Sequence, residues 1–194
     1  MLSGRELALG IVGAWRLVRA DRSAMLCFDL SPRGFWRSFW LILLLAPLQA
    51  LLVAINLTEL GIDPIPAQAV LLEAGIYVLD WLLLPAVLSE IALRRGRIPQ
   101  FASFTIAYNY AQVLLGALWL TVIALSSLLS PGGAAFLQLG ALGLSLFYQY
   151  RIARIAFELE RPLAAMVVLL SLALSLTLQY VNASLLQPFI PGGT

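Results

Sequence analysis

The sequence predicts an all-α fold: a polytopic membrane protein with five transmembrane helices, preceded by an N-terminal amphipathic helix in the membrane interface. Three observations predict it. Hydrophobic residues make up 61% of the 194 and charged residues 11%, where a soluble domain carries about 25% charged residues. The apolar residues gather into five long stretches. All 12 basic residues are arginine, and they fall before the first stretch, between the second and third, and between the fourth and fifth.

Residues 1–34 read as a cytoplasmic amphipathic segment, 35–187 as the five-helix transmembrane domain and 188–194 as a short non-cytoplasmic tail. Within residues 3–20, Leu7, Ile11, Ala14, Trp15 and Val18 recur at helical spacing, with Arg5, Arg16 and Arg19 among them. Such a helix lies in the headgroup layer or packs on the cytoplasmic end of the bundle. Ser31-Pro32 reads as a helix start: the hydroxyl accepts from an exposed N–H, and proline suits the first helical position. The first apolar run begins near Trp36, late for a cleaved signal peptide, so no cleavage is expected.

The first span is read over Trp36–Leu57, with Pro47 expected to kink it. About 20 residues suffice to cross the hydrocarbon core. An acidic break containing Glu59 and Asp63 follows. The second span covers Gln68–Leu93, with Pro85 inside, and ends at the basic turn Arg94-Arg95-Gly96-Arg97. The third covers Phe101–Leu129 and ends at Ser130-Pro131-Gly132-Gly133. The fourth starts near Ala134 and turns amphipathic near Arg151 and Arg154; the fifth runs from Pro162 to Leu186. Arginine-rich short loops stay in the cytoplasm, so the N-terminus is placed inside and the C-terminus outside. The arginine-only basic set suggests the inner membrane of a bacterium.

Composition excludes several chemistries. The chain has no histidine and a single cysteine, Cys27. A Ser-His-Asp triad, a zinc hydrolase, a haem axial histidine, a CxxC pair and an internal disulfide are therefore ruled out. No cofactor, metal site or catalytic cluster is expected, and no nucleic-acid partner.

The polar candidates lie inside the spans. Glu73, Tyr77 and Asp80 share one face of the second. A carboxylate at the depth of Asp80 costs roughly 2.5–3.5 kcal/mol on insertion scales. Asp80 is therefore either a proton- or cation-handling site or a hydrogen-bonding tie to Asn109 or Gln112 in the third span. Gln138, Gln149 and Gln179 add neutral polar positions, and Gly140, Ala141, Gly143, Ser145, Ser171 and Ser175 allow close helix approach. Arg94, Arg95, Arg97, Arg151 and Arg154 are candidate contacts for anionic lipid or a partner protein.

Five spans behind a short basic segment, the turn Arg94-Arg95-Gly96-Arg97 followed by Phe101-Ala102-Ser103-Phe104-Thr105-Ile106-Ala107-Tyr108, and a final hairpin near Arg161 resemble the small bacterial Yip1-like membrane proteins. The resemblance implies a non-enzymatic protein that associates with lipids, other membrane proteins or itself. The Asp-Leu-Tyr-Gly-Pro motif of the eukaryotic Yip1 proteins is absent, Tyr77-Val78-Leu79-Asp80-Trp81 being no substitute, so no vesicle-trafficking role is carried over. The alternative reading is a small permease or proton-coupled subunit using Asp80 and Glu73.

Overall fold

The computed structural model describes residues 2–190. Seven α-helices follow one another: α1 (Gly4–Val18), α2 (Pro32–Ser38), α3 (Trp40–Glu59), α4 (Ala67–Arg94), α5 (Ile98–Ser126), α6 (Pro131–Ile155) and α7 (Arg161–Leu186), with 3₁₀ turns at Arg22–Cys27 and Gln187–Phe189. Four segments are long and apolar enough to cross a membrane: Pro32–Glu59, Ala67–Arg94, Ile98–Ser126 and Arg161–Phe189. This length and composition are compatible with a multi-pass membrane protein. The fourth expected span, α6, has 25 residues but is not among them, because Gln138, Gln149 and four glycines dilute its apolar character. Of the expected tail, residues 191–194 lie outside the described residues.

Local chemistry sets the helix ends. Ser31 and Ser130 each cap a helix that opens on proline, their hydroxyls accepting from Gly34 N–H at 3.1 Å and Gly133 N–H at 3.4 Å. α4 closes on Gly96, at φ +63°, where the Gly96 N–H donates to Leu93 C=O and the Arg97 N–H to Ala92 C=O. This paired bonding satisfies the last carbonyls and needs a left-handed residue, which glycine adopts without strain. The basic turn noted in the sequence is thus a helix stop. The same bonds close α1 around Ala20, at φ +61°. Ahead of α2, the hydroxyl and backbone N–H of Ser31 hold the Asp29 carboxyl below its ordinary range.

The first apolar run is divided: Phe39 separates α2 from α3. Ser38, at the end of α2, turns its hydroxyl back to Phe35 C=O (2.7 Å). Helices α3 and α4 run through Pro47 and Pro85 without a break in assignment.

The main core lies at the end of the bundle that carries the arginines. It joins Ala14 and Leu17 of α1, Phe28, Leu84 and Leu88 of α4, Phe101 to Ala111 of α5, Ile152 and Phe157, and Val167 of α7. α5 is its axis, touching α1, α2, α3, α4 and α6. The opposite end holds only a small cluster of Leu57, Ile62, Ala69 and Leu186. The bundle is therefore tightly knit at one end and open at the other.

α1 docks on the knit end, burying Gly10, Gly13, Ala14 and Leu17. Tyr148 donates from its hydroxyl to Ala14 C=O at 2.7 Å, and Glu6 pairs with Arg37 of α2. The face turned away carries Leu9, Val12 and Trp15, each 43–50% exposed, beside Arg5, Arg16 and Arg19; the Arg19 guanidinium lies over the Trp15 ring at 5.3 Å. Close approach occurs here: a Cβ on Gly10 would overlap the Tyr110 ring. Gly140 and Gly143 in α6, expected to allow helix contact, face open space instead. Replacing Gly10 by alanine is accordingly expected to destabilise the protein by about 1–3 kcal/mol through overpacking. Gly140→Ala, with nothing to meet, is expected to be neutral or slightly stabilising in thermal denaturation.

Candidate functional site

The five polar residues singled out in the sequence do not form one site. Glu73 is buried at the open end of the bundle, where its Oε1 accepts from Asn182 Nδ2 of α7 at 3.1 Å. Tyr77, one turn on, donates from its hydroxyl to Ile42 C=O of α3 at 2.8 Å. Both line a cavity of about 260 Å³ between α3 and α4. Asn109 is fully buried on another side, its Nδ2 donating to Ser38 Oγ at 2.9 Å. Asn109 thus ties α5 to the α2–α3 break, and is not a partner of Asp80.

Asp80 and Gln112 remain together. They line a cleft of about 670 Å³ between α4, α5, α6 and α7. α5 adds Tyr108; α6 adds Gln138, Ser145 and Gln149; α7 adds Ser171, Ser175 and Gln179. Asp80, Gln112 and Ser175 each stand about 14 residues, or about 21 Å, from the arginine-side end of their helix. They therefore share one level midway along the bundle. Leucines and Trp119 complete the walls, so the lining is amphipathic.

Gln149 donates from Nε2 to Ser171 Oγ at 2.7 Å, tying α6 to α7 on the arginine side. Farther along, Asp80, Gln138 and Gln179 are exposed. Asp80 makes no direct hydrogen bond or ion pair among the described residues. Glu73, Asn109 and Gln149, also buried in the bundle, each have a side-chain partner. Asp80 is the acid left facing the space.

The sequence left the cleft-lining glutamines open between helix packing and a polar pocket, and read the serines as small residues for close helix approach. A signal was present: Gln138, Ser145 and Gln149, and Ser171, Ser175 and Gln179, recur at helical spacing within apolar runs, so each set falls on one face.

The arginines divide as well. Arg94 Nε pairs with Glu90 Oε1 at 2.6 Å on the exposed surface. Arg95 and Arg97 border an apolar cavity of about 290 Å³ between α4 and α7. Arg151 and Arg154 belong to a separate pocket near the end of α6. Among the described residues no group of three or more histidine, cysteine or acidic side chains comes together. No family model, curated protein or solved structure matches this chain.

Proposed function

We propose that this chain is a non-catalytic, Yip1-like integral membrane protein that holds the polar part of a lipid or of another membrane protein in the α4–α7 cleft. The observation that carries this reading is the cleft itself: an amphipathic lining, shared by four helices, and one acid without a hydrogen-bond or ion-pair partner among the described residues. The chain has no histidine, the commonest catalytic base, and the cleft has a single carboxylate, which favours binding over a lipid-modifying reaction.

The reading counts α6 as a fifth span. Its 25 residues reach about 37 Å, and residues from Ala135 to Ile152 line the same cleft, so α6 runs along the bundle against α5 and α7. On five spans every arginine falls on one side, which supports a cytoplasmic knit end and N-terminus and an outside C-terminus; the arginine-only basic set supports a bacterial inner membrane. α1 then rests at the headgroup level with Leu9, Val12 and Trp15 toward lipid.

Native mass spectrometry of the protein purified in mild detergent tests the proposal. A lipid class enriched over the bulk extract, or a stoichiometric membrane protein, is the expected result. A bare chain, or lipid in bulk proportion only, would overturn it. A second reading rests on the unpartnered Asp80: a proton- or cation-coupled permease. Asp80-dependent solute flux in liposomes, with nothing bound after purification, would favour that reading instead.

A further inference from the structure

The arginines at the knit end are not spread evenly. A pocket of about 370 Å³ is lined by Arg22, Arg151, Arg154 and Arg161, with Phe147 and Tyr150. The four come from three separate segments: the 3₁₀ turn after α1, the last turns of α6 and the first residue of α7. Their convergence depends on the α1 and α6–α7 packing, so the sequence does not show it. The pocket lining contains no acid.

Four guanidinium groups around one space repel one another unless an anion sits among them. The neighbouring acids do not neutralise them by direct pairing: among the described residues none of the four makes an ion pair. Asp21, next to Arg22, is engaged by the Ser23 N–H and hydroxyl, both at 2.8 Å. Glu158 and Glu160 line an adjoining cavity of about 460 Å³, shared with Arg22 and Arg154. They offset part of the charge from the far side.

Two of the arginines are held in place. Arg151 stacks its guanidinium over the Phe147 ring at 4.8 Å, and its Nε is buried with no hydrogen-bond partner. Arg154 donates from Nη1 to Leu159 C=O at 2.8 Å. A planar guanidinium fixed on one side presents its remaining N–H groups as a fork, the geometry that suits phosphate oxygens.

We infer that this pocket is a phosphate-binding site for a group carrying at least two negative charges: a phosphomonoester, a diphosphate or a lipid headgroup with two phosphodiesters. The site is separate from the α4–α7 cleft and does not depend on what the cleft holds. Its position on the arginine-bearing end allows either a lipid headgroup or a soluble phosphate to reach it.

The test is a titration of the full-length protein in neutral detergent, read by native mass spectrometry and by thermal shift. The probes are cardiolipin, phosphatidylglycerol, phosphatidylcholine, inorganic phosphate and pyrophosphate. Cardiolipin or pyrophosphate is expected to bind at least about tenfold more tightly than phosphatidylcholine, and R151Q/R161Q to lose about tenfold or more of that affinity. The control R95Q/R97Q, which leaves the pocket intact, is expected to keep it. Binding of cardiolipin alone identifies a lipid site, and binding of pyrophosphate or phosphate identifies a soluble one. Should R151Q/R161Q not fold, R151K/R161K retains the charge and is expected to bind several-fold more weakly through loss of the fork. No preference for the dianionic probes, or equal affinity in the wild type and a folded pocket variant, would overturn the inference.

Discussion

Replacing Asp80 by leucine is expected to make the protein more stable and less able to hold its partner. The two effects share one cause. Asp80 stands midway along α4 with no hydrogen bond or ion pair to another described residue. A carboxyl group at such a depth costs roughly 2.5–3.5 kcal/mol on insertion scales, and nothing in the bundle offsets that cost. Removing it should raise stability by about 1–3 kcal/mol in detergent unfolding, the low end allowing for water in the cleft. Asp80→Asn keeps shape and hydrogen-bonding capacity and removes the acid. It is expected to weaken partner binding by about tenfold to a hundredfold, the worth of one charge-assisted hydrogen bond. A residue that ties helices together behaves in the opposite way. If Asp80→Leu lowers stability and leaves binding intact, the acid is structural and the cleft loses its role.

Phe104→Ala is expected to produce the largest loss of stability, about 3 kcal/mol. Phe104 is fully buried in α5, its ring 5.4 Å from Phe157 and 5.8 Å from Tyr108. Truncation leaves a cavity at the centre of the knit end and removes the dispersion contacts of both neighbours. The lower end of the usual 3–5 kcal/mol range applies, because apolar transfer contributes less where helices are solvated by lipid. Phe136 makes the comparison: it is 81% exposed on α6, and Phe136→Ala is expected to change the unfolding free energy by less than about 0.5 kcal/mol. A loss below about 1 kcal/mol at Phe104 would contradict the placement of the core.

Helix positions were legible in the sequence because their signals are local. Proline and serine starts, the Gly96 stop and the lengths of the apolar runs recover α4, α5 and α7 to within a few residues at each end. The break at Phe39 was not legible: the segment Pro32–Glu59 is as a whole long and apolar enough to read as one span, and only the Ser38 side chain, bonded to Phe35 and Asn109, marks it. The site was legible in part. Periodicity correctly placed Glu73, Tyr77 and Asp80 on one face of α4, yet a face some 60° wide meets more than one neighbour. Glu73 turned to α7, Tyr77 to α3 and Asp80 to the cleft. Which residues of α6 and α7 stand opposite Asp80 depends on rotation and depth, and a single sequence carries neither.

Cysteine accessibility in intact cells tests the cleft and its orientation most directly. The chain has one free cysteine, Cys27, so Cys27→Ser gives a background without thiols. On it, Gln138→Cys and Gln179→Cys are expected to react with a charged, membrane-impermeant maleimide added outside. Gln149→Cys, at a buried position on the arginine side, and Ala107→Cys, in the core, are expected to stay silent, and Arg95→Cys to react only after permeabilisation. Silence at both Gln138 and Gln179, or labelling there only after permeabilisation, would contradict a polar cleft open on the side away from the arginines.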